Sequence, residues 1–457
     1  MFDPVEVIKE LVSHPSVSTD PAFAEGMEGT RKVLVDLFAS MSLDVEVVDT
    51  PRHPVILAKR KGPESWPHVI IYGHYDVQPP DPLDLWKSPA FEPTTRDGRL
   101  YGRGASDNKG PMMVHIAAVA ELLEEQPDLP LRITFLVEGE EEIGSPSLPG
   151  VLASHGDQLK GDFVLLTDTL NPDEDRIAIT SGLRGIVSLE FSITTAPSDM
   201  HSGMVGGTFL NPIQALTELC SSLHLPDGRI NVPGFYDDVI QPEAWEEEQV
   251  AKLGIDDDSF CKSLGIKKIL TANGRTAMEA IRYEPTLEFN GIGGGYQGEG
   301  DKTVIPSTCF VKITCRLVAN QDPDDIREKV IACLKERCPE DVTMNILEGH
   351  DGVPYSIVPP GKPNTAEGLN SHLARAFKAV DKAVLEATGT LPLYLREGGS
   401  IPIIGELKSA LGMDALMIGM GTGKNKLHAP NESMVLADLP KGIAISKAVL
   451  KEVAKGS

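Results

Sequence analysis

The chain is 457 residues long and carries 42 Lys and Arg against 67 Asp and Glu, a formal charge of −25 with histidine neutral. A field of that sign repels phosphate backbones and anionic head groups, which excludes nucleic acid and membrane surfaces as partners. With 41% hydrophobic and 24% charged residues and no apolar run near the ~18 residues of a membrane span, the composition is that of a globular protein of about two or three domains.

Asp3-Pro4-Val5-Glu6 puts a capping residue, a proline suited to the first helical position and a glutamate three residues past the cap ahead of apolar Ile8, Leu11 and Val12, which predicts an opening helix. The same acidic start lacks the basic and then apolar pattern of a secretory signal, so the expected location is cytoplasmic. Short β-branched runs at 55–58, 69–72, 133–137 and 163–166 alternate with amphipathic stretches such as 111–125, the pattern of an α/β layer with a mainly parallel sheet. After about Leu183 the pattern changes. Residues 188–194 and 309–317 alternate apolar with polar, placing Cys309, Val311, Ile313, Cys315 and Leu317 on one face, and helical patterns follow at 211–223 and 324–335. These features predict an α+β domain, 185–367, inserted into an α/β domain made of 1–184 and 368–457. In the latter, helices at 373–387 and 439–454 flank an apolar run at 415–418. Six cysteines, all between Cys220 and Cys338, form no C-x-x-C pair and are expected to be reduced. Nine acids and the single base Lys252 between Asp237 and Asp258 predict a solvated helical face, because the spacing matches no calcium loop.

In open sheets ligands bind beyond the carboxyl ends of the strands, and three predicted strands deliver metal-ligand residue types there. One runs into Gly73-His74-Tyr75-Asp76, one into Glu138-Gly139-Glu140-Glu141-Glu142-Ile143-Gly144-Ser145, and one into Thr167-Asp168. A lone histidine or an acidic turn is ordinary, but three strand ends carrying such groups point to a site. A metal-bound imidazole needs its other nitrogen held by an acceptor, so Asp76, two residues on, is expected to orient His74. Adjacent Glu141 and Glu142 point different ways, which suits one as a ligand and the other as a base. Asp107, in Arg103-Gly104-Ala105-Ser106-Asp107-Asn108-Lys109-Gly110-Pro111, stands where a helix begins; taken alone it reads as a cap.

In their order, His74, Asp76, Asp107, Glu141, Glu142 and Asp168, with a late Leu427-His428-Ala429-Pro430-Asn431-Glu432, resemble the zinc peptidase family of aminoacylases, carboxypeptidase G and carnosinases. Gly73–Pro79, Gly102–Pro111, Glu141–Ser145 and Arg396-Glu397-Gly398-Gly399-Ser400-Ile401-Pro402 look most like its dipeptidase branch, typified by cytosolic non-specific dipeptidase, and the resemblance covers nearly the whole chain. It implies a di-metal hydrolase domain with an inserted ferredoxin-like lid and dimerisation domain. Asp107 would bridge two divalent ions, His74 and Asp168 would complete one site, and Glu142 and His428 the other, with Glu141 as general base. Nitrogen and oxygen ligands without thiolate suit zinc, with manganese or cobalt as alternatives. The resemblance further implies that His201, in Asp199-Met200-His201-Ser202-Gly203, reaches across a homodimer to the partner's substrate. Thr303, Arg316, His350 and Ser400 would contact that substrate, the arginine as a fork for its carboxylate.

Gly295–Thr303 nearly spells a phosphate loop, but Asp301 breaks the Gly-Lys-Thr junction, and Gly419–Gly423 is only a weak dinucleotide signal. Ala319 replaces a proline common after Arg-Leu-Val in the family, and the stretch 361–393 looks longer than in animal dipeptidases, which bears on the pocket rim. The expected reaction is hydrolysis of dipeptides or small peptides with a free C-terminal carboxylate. N-acyl-amino-acid deacylation or desuccinylation at the same site is the alternative. A catalytically silent metal-binding scaffold has little support, since base, ligands and lid histidine are all present.

Overall fold

The computed structural model describes residues 2–456, which form two compact units. One contains the chain up to Ser181 together with Ile357–Leu395 and the stretch from Ile401 on; the other is Gly182–Ser356 with Arg396–Ser400. The predicted insert, 185–367, thus differs at its edges. Residues 357–367 pack with the first unit, and Arg396–Ser400 with the second, where Arg396 forks onto the buried Glu246 carboxylate at 2.7 and 3.0 Å.

The sheet of the first unit runs in the order Asp44–Val48, Val55–Arg60, Arg132–Glu138, His68–His74, Phe163–Thr169, Ala415–Gly419 and Ala178–Leu183. The middle four strands, from Arg132–Glu138 to Ala415–Gly419, are mutually parallel, and antiparallel strands flank them on both sides. The parallel strands are buried almost throughout, as near-continuous apolar runs require. Register pairs His74 with Glu138, so these neighbouring strands end side by side. The helix Lys109–Glu125 is buried from Lys109 through Val119 and packs against Asp438–Ala454, which in turn packs on Ser371–Thr388. That last helix is amphipathic, burying Leu373, Ala376, Phe377, Val380 and Val384; Asn370 caps its start and Gly389, at φ 78°, ends it. Pro4–Ser13 begins as expected, with Asp3 accepting from Val5 N–H, but Glu6 turns outward to Lys9.

The second unit holds an antiparallel sheet in the order Thr286–Gly294, Thr308–Leu317, Gly185–Thr194, Thr343–Gly352. One face carries Val187, Leu189, Phe191, Ile193, Val311, Ile313 and Cys315 and is covered by helices Pro212–Ser222 and Pro323–Arg337 through Leu216, Leu219, Ile326 and Val330. All six cysteines are free thiols. The acidic segment forms two short helices, Ala244–Ala251 and Asp257–Leu264, but it is not uniformly solvated. Glu246 is 5% exposed and bound to Arg396, and Asp257 accepts from Ala277 N–H.

Candidate metal centre

The site is built at the carboxyl ends of the parallel strands of the first unit. His74, the last residue of its strand, is fully buried, and its Nδ1 lies 3.1 Å from the Asp76 carbonyl and 3.3 Å from Asp76 Oδ1. With Nδ1 turned to Asp76, Nε2 faces Asp107 Oδ1 at 3.3 Å and Asp168 Oδ2 at 3.7 Å and has no hydrogen-bond partner. Asp76 also accepts from Glu141 N–H at 3.2 Å and Glu142 N–H at 3.1 Å. One buried carboxylate therefore orients the imidazole and fixes the turn carrying both glutamates.

The second group shares Asp107. His428 Nε2 lies 2.9 Å from Asp107 Oδ2 and 3.2 Å from Glu142 Oε2, while the buried Glu142 Oε1 has no partner. His428 sits in the left-handed region at φ 55°, an uncommon backbone for a non-glycine residue that marks a constrained position. Among the described residues, His74–Asp107–Asp168 and Asp107–Glu142–His428 are the groups of three whose ligand atoms converge within 4.8 Å. The residues singled out in the sequence as ligands are thus brought together.

The electrostatics show a site short of positive charge. Burial pushes Asp168 up to about 6, and burial together with Asp168, Glu142 and Asp107 holds Glu141 well above the usual carboxylate range despite nearby His74. Bonds to Asp107 and Glu142 lift His428 to about 10. His74 is raised as well: burial opposes its charge, but Asp107 and Asp76 outweigh it. Burial alone would raise Asp107, yet His428 and His74 hold it below its ordinary value. Carboxylates and imidazoles that demand cations, with oxygen and nitrogen donors and orphaned acceptors turned inward, fit two divalent ions.

Several supporting residues were not singled out by the sequence. Gln78 Nε2 donates to Glu142 Oε2 at 2.9 Å, and the Asn108 amide donates to Asp168 Oδ1. Glu138 accepts from Tyr72 and Ser145 hydroxyls, both at 2.9 Å, and Glu140 accepts from His53 N–H and Ser147 N–H at 2.8 and 3.0 Å. The acidic run 138–142 thus has its first two carboxylates, Glu138 and Glu140, buried as scaffold and the last two at the site. The glycine-rich turn has a packing cause: a Cβ on Gly421 would stand 2.2 Å from Asn425 Nδ2, whose amide donates to Ser106 Oγ beside Asp107.

In the second unit Met200–His201 pairs with Val304–Ile305, which sets His201 beside Thr303; its Nδ1 accepts from Gly203 N–H at 3.0 Å. Arg316 Nη1 donates to Ser400 Oγ at 2.9 Å, and the His350 carbonyl accepts from Ser188 Oγ at 2.9 Å. Arg316 and Ser188 lie on the sheet face turned away from the helices.

Residues 70–452 match the model of peptidase family M20/M25/M40. The chain belongs to this peptidase family. As an M20 member it is an enzyme of the metallopeptidase class, and its relatives put it with the carnosinase-like branch. The Cys-Gly metallodipeptidase dug1 of Schizosaccharomyces pombe is 29% identical over 464 residues, 98% of this chain and 95% of the relative. The human Beta-Ala-His dipeptidase is 29% identical over 470 residues, 99% and 90%. Among solved M20 structures, a metallo-carboxypeptidase from Sulfolobus solfataricus superposes with a TM-score of 0.87 at 31% identity over 100% of both chains. Human carnosine dipeptidase 1 superposes at 0.81 and 28%, over 99% and 96%. No helix among the described residues is long and apolar enough to cross a membrane.

Proposed function

We propose that the protein is a dinuclear metallopeptidase that hydrolyses the peptide bond of dipeptides or small peptides with a free C-terminal carboxylate. The observation that carries this is the pair of triads sharing Asp107, each joining one imidazole to two carboxylates. His74 and Asp168 would hold one ion, Glu142 and His428 the other, and zinc suits the donor set. Bound divalent ions supply Lewis-acid polarisation of the scissile carbonyl and a water that ionises near neutral pH. Asp76 keeps Nδ1 of His74 protonated and Nε2 free to ligate. Burial and the surrounding carboxylates raise Glu141, and neutralising that field would favour its ionised form. It then takes a proton from the attacking water and returns it to the leaving amine.

Arg316, positioned by Ser400, receives the substrate carboxylate, with Thr303 and His350 as further contacts. His201 serves the site of a partner subunit in a homodimer, stabilising the oxyanion there, and the protein acts in the cytoplasm. The relatives named for Cys-Gly and Beta-Ala-His favour dipeptides, whereas the resemblance to a metallo-carboxypeptidase favours release of one residue from longer chains. The test is a panel on zinc- or manganese-reconstituted enzyme: free dipeptides, tripeptides, longer peptides, N-acetylated dipeptides and N-acyl amino acids. Metal-dependent cleavage of free dipeptides, abolished by chelator, is expected; cleavage of N-acyl amino acids alone would replace this reading with deacylation.

A further inference from the structure

The Glu432 side chain is completely buried, four residues beyond His428 and just before the strand Ser433–Val435. Each of its oxygens accepts two N–H groups. Oε2 accepts from Arg103 Nη1 at 2.7 Å and Gly104 N–H at 3.1 Å; Oε1 accepts from Ser106 N–H at 2.8 Å and Asp107 N–H at 3.1 Å. The Glu432 carbonyl accepts from Gly102 N–H at 3.1 Å as well. A single residue, distant in sequence, thereby holds five N–H groups of the 102–107 loop.

The loop has little freedom to take another path. Gly104 is at φ 86°, and a Cβ there would meet Val77 at 2.5 Å. Arg103 is 1% exposed, donates to the Pro79 carbonyl at 3.2 Å and lies over the Trp86 ring. Asp107 ends this loop, and its two oxygens are divided between His74 and His428. A small displacement of the Asp107 backbone would therefore disturb both triads at once.

We propose that Glu432 is a positioning residue: its carboxylate sets the backbone of residues 104–107 and so aims the Asp107 oxygens at both candidate ion positions. This rests on the dinuclear reading given above. The chemistry is specific to a carboxylate, because all four side-chain bonds are accepted. In Glu432→Gln one oxygen becomes an NH2 group facing two N–H donors, whichever way the amide turns, and burial keeps water from relieving the clash.

The test uses chelator-stripped full-length protein titrated with zinc by calorimetry, together with hydrogen exchange across residues 102–108 in the metal-free state. For Glu432→Gln the affinities of both ions are expected to fall in parallel, by about 10–100-fold each, the usual effect of an outer-shell change. The 104–107 amides should lose exchange protection, while His428→Ala weakens chiefly one ion. Should the glutamine variant not fold, Glu432→Asp keeps the charge, falls one methylene short, and should give the same parallel loss. A folded variant with wild-type affinities and protection, or one weakened at a single ion, would overturn the proposal. Wild-type protein that takes up no zinc would instead sink the dinuclear reading, and the exchange comparison alone would then decide whether Glu432 holds the loop.

Discussion

Zinc binding to the metal-free protein should expel protons, and the number follows from the site. With its pKa raised to about 10, His428 is protonated at neutral pH, and the raised values of His74 and Glu141 act in the same direction. Ligation needs the neutral Nε2 of His428, so filling that position releases about one proton, and any proton held by His74 or Glu141 leaves as well when both positions fill. The sign is fixed by those raised values: the competing proton is fully present below them and is removed as pH climbs. The ion held at His428 should therefore bind about tenfold more tightly per pH unit between about 6 and 8, or about 1.4 kcal/mol. Below about 6, protonation of Asp168 adds a competitor for the other ion. Calorimetric zinc titration in two buffers of different ionisation enthalpy gives the proton count directly. Affinity independent of pH from 6 to 8, with no proton released, would refute this account of the site's charge.

Glu141→Gln should lower kcat/KM by about 10²–10⁴-fold while zinc content is unchanged, as for removal of a general base; metal loss in step with activity would argue for ligation instead. Arg316→Lys gives up the planar fork held by Ser400 and should raise KM by about 30-fold, about 2 kcal/mol, with kcat largely kept; an unchanged KM would remove Arg316 from carboxylate recognition. His115 is fully buried with Nδ1 at 2.8 Å from Ser446 Oγ, and burial drops its pKa to about 3. Since the folded value lies below the unfolded 6.5, its neutral form contributes stability above 6.5 that is lost as pH falls toward 3. Relative to His115→Asn, which cannot titrate, the wild type should lose about 2 kcal/mol between pH 7 and pH 5 in urea unfolding; parallel pH dependences would contradict this.

The central strands were legible because parallel strands buried on both faces write themselves as β-branched runs, and the ligands at their ends followed from that placement. Gly185–Thr194 and Thr308–Leu317 were equally plain, since the covered face of their sheet forces alternation. Thr286–Gly294 and Thr343–Gly352 left no such trace: they are the outer strands of that sheet, largely exposed, and the first ends in Gly291, Gly293 and Gly294. Arg396–Ser400 returns to the second unit for reasons local to it, including the Glu246 fork, which no periodicity announces. Within the site, the spacing of Asp76 from His74 announces an orienter of the imidazole, but nothing in spacing announces its bonds to the Glu141 and Glu142 amides. Glu138, Glu140 and Glu432 were hidden for a related reason. An acidic residue is ordinarily solvated, and only donors brought from far along the chain make it a buried acceptor.

The central claim is that two divalent ions share Asp107 and carry the reaction. Metal content after reconstitution with zinc, measured beside hydrolysis of a free dipeptide in wild type and in Asp107→Ala, tests it most directly. The account predicts about two ions per wild-type chain, with both ions and activity lost together in the variant. Wild-type turnover without metal, or a fully loaded and active Asp107→Ala chain, would contradict it.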